Sequence, residues 1–340
     1  MYSHLLIPIL IAFIFAVNMG GSGTGPSFSV AYGANVIPIR FIPTLFGIMV
    51  FIGVIVAGKA TTTTMGKELL PPQMMTTAMV SVILISVTVS LLIANLAGIP
   101  QSTSQSTVLA ITAPAVYFHV FKSDKLFFEI IPAWFILPIL SFFICFLLAK
   151  YFYRPLRKKG YTLSKELNTH PALRYSILAM SLYVAFSIGA NNVANAAGPI
   201  ASMAINELSI HSEKGFLLIT ILATLVVAPG FGIGSSLFGP RIVKNTGKEI
   251  VLFGPIEAII IAFVSASLLL FASVTKGIPT SLVQLNVAAI LGIGVAKLGF
   301  KNIFKKTEVN RFFVMWVISP TIAFGLSFLL VFLFDKMSIF

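Results

Sequence analysis

The sequence predicts an all-α polytopic membrane protein of about 10–12 membrane segments, arranged as two inverted repeats with broken or re-entrant helices. Three observations predict this fold class. Of the 340 residues, 57% are hydrophobic and 10% are charged, and the mean hydropathy is +1.00. Long apolar runs follow one another along the chain, and the two halves of the chain share polar segments in the same order.

The composition excludes a water-soluble globule. A soluble domain contains about 45–50% apolar and about 25% charged residues, so this chain has too few polar residues to cover an apolar interior. Regular alternation of apolar and polar residues over about ten positions is missing, which argues against an outer-membrane barrel. A bundle of helices in a lipid bilayer is therefore the predicted class.

The net charge of +13 indicates membrane topology and no nucleic-acid partner. The basic residues lie mainly in short segments between apolar runs, with one block from Lys150 to Lys165. Basic loops of this kind are typical of the cytoplasmic side of a membrane protein, so the predicted location is the plasma membrane. The first run, Leu5 to Met19, has no basic start, and we expect a retained helix rather than a cleaved signal.

The apolar runs differ in length. They cover residues 4–19, 36–58, 74–97, 107–121, 126–152, 172–190, 214–237, 251–275, 282–299 and 310–334. Several are shorter than the about 20 residues that cross a bilayer, and they adjoin stretches rich in Gly, Ser, Thr, Asn and Pro. Backbone that is not helical at membrane depth must be covered by protein or line a polar cavity. These stretches therefore predict broken helices around a polar interior.

The two halves of the chain are related in sequence. Residues 98–108 and 277–287 both match G-I-P-x-S-x-x-Q-x-x-V, with six identities in eleven positions. Residues 64–68 (TMGKE) echo 245–249 (NTGKE), and the polar segment 20–27 precedes the first echo as 189–196 precedes the second. We therefore expect a first repeat at 1–150, a basic connection at 151–171 and a second repeat at 172–340. Such duplication is the signature of secondary transporters, with the solute site between the repeats.

Four polar segments are candidates for that site: residues 18–29, 100–107, 189–202 and 277–286. None contains a histidine, a carboxylate or an arginine, and Lys276 only borders the last. Neutral amides and hydroxyls at helix N-termini favour an oxyanion, and the prolines before Ser102 and Ser281 fit helix starts. Small polar residues also serve helix packing, but Asn191, Asn192 and Asn195 within one turn are costly in lipid and indicate a site.

Motifs of enzymes and of nucleotide-driven pumps are missing. The sequence has no phosphate-binding loop, no nucleophile elbow and no HExxH, and its histidines show no metal-ligand spacing. Cys145 stands alone in an apolar run, so neither a disulfide nor redox chemistry is expected. No cofactor or metal is predicted, and transport must use an ion gradient. Glu129 and Glu257 fit either helix-end charges or a coupling role.

Residues 187–199, SIGANNVANAAGP, resemble the G-[SA]-N-D-V-A-N-A-x-G-P signature of the PiT family, the inorganic phosphate transporters. The GIPxS segments are similar to that family's G-x-P-x-S-T-T-H segments. The resemblance implies two inverted repeats around a tetrahedral oxyanion. It places substrate-binding positions at Asn191, Asn192, Asn195, Ser102, Thr103, Ser104 and Ser281, with Ser22, Gly23 and Pro26 as first-half counterparts. Gln105 and Gln284, at equivalent repeat positions, complete the predicted set.

The departures from that signature indicate the substrate. The family's Asp is Asn192 in the second half and Gly23 in the first, and its motif His is Gln105 and Gln284. A carboxylate would attract Na⁺ or a proton and repel a dianion. Sulfate remains a dianion that only accepts hydrogen bonds, whereas phosphate near neutrality carries protons that need acceptors. The chain therefore resembles the sulfate-permease branch of the family.

The sequence thus predicts a sulfate permease that works by alternating access, with proton symport as the expected coupling and a homodimer as a possible assembly. Two alternatives stay open. One is an inorganic phosphate symporter coupled to sodium or protons. The other, from a different class, is a passive anion channel.

Overall fold

The computed structural model describes residues 3–96, 101–121, 124–153, 155, 170–210, 213–245 and 254–339. Every regular element within these ranges is helical, and eight helices are long and apolar enough to cross a membrane. Large apolar side chains such as Phe128, Phe152 and Val317 point outward, 78%, 70% and 68% exposed. The predicted class, an all-α multi-pass membrane protein, is confirmed.

The first half of the chain supplies six helices. They are α1 (Leu6–Gly33), α2 (Ile42–Ala57), α3 (Lys59–Thr63), α4 (Thr77–Leu96), α5 (Thr103–Tyr117) and α6 (Ile131–Leu147). Turns of π-helix extend α3 over Thr64–Glu68 and flank α6 over Lys125–Ile130 and Leu148–Tyr153. The helix α5 has 15 residues and is too short to span a bilayer, as the broken-helix prediction requires.

The second half supplies seven helices. They are α7 (Pro171–Asn192), α8 (Ala194–Glu207), α9 (Glu213–Asn245), α10 (Pro255–Lys276), α11 (Leu282–Leu298), α12 (Phe300–Phe304) and α13 (Thr307–Lys336). Helix α7 gives way to α8 at Val193, inside the asparagine-rich segment. The chain leaves α10 through Gly277, whose φ of +61° is the left-handed conformation that favours glycine.

The predicted interruption at residues 18–29 is wrong, because α1 continues without a break through the glycines and through Pro26. Its hydroxyl groups are satisfied inside the helix: Thr24 donates to the Gly20 carbonyl at 2.7 Å and Ser27 to the Gly23 carbonyl at 2.9 Å. The glycines serve packing against α9. A Cβ atom at Gly20 would lie 2.2 Å from the Phe231 carbonyl oxygen, so only glycine permits this approach.

The helices of the two halves correspond in order: α1 to α7–α8, α2–α3 to α9, α4–α5 to α10–α11, and α6 to α13. Packing between the halves is reciprocal. Helix α5 packs on α13 while α11 packs on α6, and α1 packs on α9 while α2 packs on α7. A two-fold relation between the halves would give this exchange. The inverted orientation of the repeats and their boundaries stay predictions, and residues 97–100, 156–169 and 246–253 lie outside the described residues.

Candidate functional site

Helices α5 and α11 begin in the same way, each at a buried serine. Ser102 and Ser281 are extended N-cap residues, and each hydroxyl oxygen accepts a hydrogen bond at 3.3 Å from the backbone N–H three residues later, that of Gln105 or Gln284. Serine is favoured at this position because it satisfies one free N–H of the first turn. The remaining N–H groups and the helix dipole give both starts a partial positive charge.

The two helix starts are joined by a reciprocal pair of amides. Gln105 Nε2 donates to Gln284 Oε1 at 3.0 Å, and Gln284 Nε2 donates to Gln105 Oε1 at 2.7 Å. Both side chains are buried. Each keeps one further amide hydrogen that the pair does not use. Two distant segments predicted to form one site are therefore in direct contact.

Asn191 connects the end of α7 to both helix starts. Its amide nitrogen donates to Ser273 Oγ at 2.8 Å and to the Ile278 carbonyl at 3.0 Å. Its oxygen accepts from Ser104 Oγ at 3.3 Å and from the Thr280 backbone N–H at 3.2 Å. Both amide hydrogens are thus committed to protein, so in this conformation Asn191 holds the site together.

Asn195 and Ser104 extend this network into α8. Asn195 Nδ2 donates to Ser104 Oγ at 3.2 Å and lies 3.9 Å from the sulfur of Met19 on α1. Ser104 gives its single proton to Asn191, so its hydroxyl is also committed to protein. Asn191, Ser104 and Asn195 therefore form one continuous chain of hydrogen bonds across α7, α5 and α8.

Asn192 and Thr103 are held more loosely. The contact between their side chains, Asn192 Nδ2 to Thr103 Oγ1, measures 3.5 Å, which is the limit of a hydrogen bond. Asn192 is half-buried, whereas Asn191 and Asn195 are fully buried. Of the predicted set, Asn192 and Thr103 have the most hydrogen-bonding capacity to offer a ligand.

Several buried polar atoms at the helix starts have no hydrogen-bond partner among the described residues. They are both side-chain atoms of the Gln101 amide, the oxygens of Asn192 and Asn195, and the hydroxyl oxygen of Thr280. Leaving such an atom unpaired costs about 1–3 kcal/mol, so their concentration here indicates a polar ligand or water. Sequence reasoning placed Gln101 and Thr280 in the candidate segments 100–107 and 277–286 but did not include them among the predicted substrate-binding residues. Their equivalent places before Ser102 and Ser281 were the available signal.

Ser22 is half-buried and takes no part in this network in the described conformation. Its hydroxyl donates to the Met19 carbonyl of its own helix at 3.0 Å. A Cβ atom on the neighbouring Gly23 would lie 3.1 Å from the Phe46 ring, so this face of α1 is closely packed. The first-half counterpart of the asparagine cluster therefore serves helix packing, so the two halves of the chain contribute differently to the site.

Carboxylates lie outside the network. Within the part of the chain that the structure describes, no three His, Cys, Asp or Glu residues are placed to hold a metal ion. Glu257 accepts from the Gly254 N–H at 2.6 Å and pairs with Lys297 at 2.8 Å. Sixteen helical steps separate Glu257 from Ser273 along α10, which corresponds to about 24 Å. The buried Glu257 therefore behaves as a helix-end charge.

Comparisons with known proteins agree with this architecture. The model of the phosphate transporter family matches residues 19–327. Sulfate permease CysP of Bacillus subtilis (strain 168) is 33% identical, covering 97% of this chain and 88% of that protein. A putative phosphate permease of Thermococcus kodakarensis is 25% identical, covering 94% and 95%. A solved structure described as the sodium-dependent phosphate transporter superposes with a TM-score of 0.84 at 20% identity, covering 98% of this chain and 99% of that chain, and shows the shared fold.

Proposed function

The chain belongs to the phosphate transporter family, and on that premise we propose that it is a plasma-membrane sulfate permease coupled to an ion gradient. As a member of this family it is a transporter of inorganic anions and not an enzyme. The finer assignment to sulfate depends mainly on one observation. The helix starts of α5 and α11 meet in a network of neutral amides and hydroxyls that contains no carboxylate.

The physical reason is the different protonation of the two oxyanions. Sulfate accepts hydrogen bonds and carries no proton at physiological pH, so it fits helix N-termini and side-chain donors. Asn192 stands where the family signature has Asp, and a carboxylate there would repel a dianion in a low-dielectric site. The name sulfate permease, given to the relative from Bacillus subtilis, supports the same assignment.

We place the anion against Thr103, Asn192 and the first turns of α5 and α11. Among the other predicted ligands, Ser102 and Ser281 then fix those turns, while Asn191 and Ser104 hold them together. Alternating access follows when the site opens to one side and then to the other through movement of one half against the other. Helix α5 packs on α13 and α11 packs on α6. Each helix start is therefore packed against a helix of the other half.

Protons are the proposed coupling ion, because the site lacks the carboxylate pair that would attract sodium. The solved neighbour is described as sodium-dependent, so the assay must compare both ions. An inward proton gradient should accelerate sulfate uptake, and replacement of sodium by choline should leave it unchanged.

Phosphate is the second candidate, and one observation favours it. The buried oxygens of Asn192 and Asn195 are acceptors without a partner among the described residues. Hydrogen phosphate could donate its hydroxyl to such an oxygen, and sulfate could not. Exchange of the nitrogen and oxygen positions of the Asn192 amide would turn its unpaired atom into a donor for sulfate, with the Thr103 hydroxyl donating to the oxygen.

The direct experiment is uptake of labelled sulfate into proteoliposomes that contain the purified full-length protein. We expect saturable uptake that unlabelled sulfate inhibits and phosphate inhibits only weakly. Saturable phosphate uptake without competition by sulfate would overturn the sulfate assignment. A flux that rises linearly with sulfate concentration and ignores ion gradients would instead indicate a passive channel.

A further inference from the structure

An open cavity of about 530 Å³ lies beside the segment that joins α10 to α11. Its walls come from the end of α2, from α3 and its π-helical extension, from the π-helical turn before α6 and from the end of α10. The charged side chains in these walls are Lys59, Lys125, Lys276, Glu68 and Glu129, so the lysines exceed the carboxylates by one. None of these residues belongs to the candidate site described above.

One lysine in this cavity pairs with both carboxylates. Lys125 Nζ lies 3.4 Å from a Glu68 carboxylate oxygen and 3.1 Å from a Glu129 carboxylate oxygen. Glu68 also accepts a hydrogen bond from the Thr64 hydroxyl at 2.7 Å. The ammonium groups of Lys59 and Lys276 have no partner among the described residues, and both side chains are exposed. The unpaired charge of the cavity is therefore positive and accessible.

The cavity wall is continuous with the candidate site. Lys125 Nζ donates to the Lys276 carbonyl at 2.9 Å, which is the last carbonyl before the turn into the α11 helix start. A Cβ atom at Gly277 would lie 2.6 Å from the Ala60 carbonyl oxygen, so the turn rests directly on the wall. The carbonyl of the next residue, Ile278, accepts a hydrogen bond from the Asn191 amide. One short segment thus separates the cavity from the network at the helix starts.

We propose that this cavity is a vestibule in which the transported oxyanion is held by Lys59 and Lys276 before it enters, or after it leaves, the central site. The inference rests on the proposed function. Two accessible ammonium groups in a concave surface raise the local concentration of a dianion. The two carboxylates offset this only in part, because Lys125 pairs with both of them and the lysines in the lining still exceed the carboxylates by one. Lys125 is a positioning residue, which holds the turn at Gly277 against the cavity.

The test is the double variant Lys59→Gln with Lys276→Gln, compared with the control Lys301→Gln with Lys305→Gln. The control removes the same charge from exposed positions around α12 that do not line the cavity. Initial rates of sulfate transport are measured in whole cells and in inside-out vesicles. These preparations expose opposite faces of the protein to the labelled sulfate, so the vestibule faces it in one of them. We expect KM to rise about fivefold from that side only, with kcat unchanged. High salt should raise the wild-type KM toward that of the variant.

Three results would overturn the vestibule: a KM equal to that of the control from both sides, an equal rise from both sides, or a fall in kcat at constant KM. Arginine at both positions should preserve the wild-type KM, because the charge is retained. A fourth result would identify a lipid phosphate as the ligand and also overturn the proposal, namely a KM rise in liposomes that contain phosphatidylglycerol and none in phosphatidylcholine alone. Failure of the proposed function can be distinguished from failure of the vestibule, because the wild-type protein would then show no sulfate transport. The same variants would in that case be compared in uptake of labelled phosphate.

Discussion

Gln105 and Gln284 are 179 residues apart in the chain and exchange two side-chain hydrogen bonds, at 3.0 and 2.7 Å. They occupy the same position in the two GIPxS segments and the same position after the N-caps of α5 and α11. A reciprocal amide pair satisfies one donor and one acceptor on each side without any charge. It therefore fastens the two helix starts together without repelling a nearby anion.

The first prediction concerns this pair. Gln105→Leu or Gln284→Leu alone should lower the free energy of unfolding by about 1–3 kcal/mol, because the remaining amide is buried without its partner. The double variant should be less destabilised than the sum of the singles, with a coupling of about 1 kcal/mol. Thermal unfolding in detergent measures this. Strictly additive losses would contradict the pairing.

The second prediction concerns charge at the candidate site. Asn192→Asp should reduce sulfate uptake at neutral pH by at least about tenfold, since a carboxylate would face the dianion in a low-dielectric site. The control Asn302→Asp places the same change on α12, where Asn302 is exposed and donates to the Leu298 carbonyl. Uptake of labelled sulfate is the measurement. Unchanged uptake by Asn192→Asp would show that Asn192 does not face the anion.

The third prediction separates residues that hold the site from those that face the ligand. Asn191→Ala should lower the free energy of unfolding by about 2–3 kcal/mol, because it frees buried groups of Ser273, Ile278 and Thr280. Thr103→Val keeps the shape of the side chain and should leave stability within about 1 kcal/mol. It should instead raise the KM for sulfate. A large loss of stability in Thr103→Val together with a raised KM and unchanged stability in Asn191→Ala would reverse the roles that the geometry gives these residues.

The fourth prediction concerns the close packing of α1 on α9. Gly234→Ala should be strongly destabilising, because its Cβ atom would lie 1.9 Å from the Val17 carbonyl oxygen and the two backbones must separate. Gly325→Ala in α13 is the matched control, since no heavy atom lies within 4 Å of its Cβ position. Alanine in a helix is more favourable than glycine by about 0.5–1 kcal/mol, so the control should raise the unfolding temperature slightly. Equal behaviour of the two variants would refute the packing role.

Sequence reasoning succeeded where the chemistry is local. The helix starts at Ser102 and Ser281 follow from proline and serine preferences at helix N-termini, and both are confirmed. The interruption expected at residues 18–29 was wrong, because glycine and serine in a membrane helix serve packing as readily as chain breaks. Composition alone cannot separate these uses, since the deciding contacts come from α9, more than two hundred residues away.

The sequence by itself determined the membrane environment and the helical class, and it predicts the duplication and the neutral chemistry of the candidate site, because these depend on which side chains are present and at what spacing. Only the tertiary structure decided how each amide is used. Asn191, Asn192 and Asn195 are alike in sequence, yet Asn191 is saturated by protein groups while Asn192 keeps its oxygen unpaired among the described residues. Burial and partners are properties of neighbours brought from distant helices, and hydrogen-bond saturation follows from them.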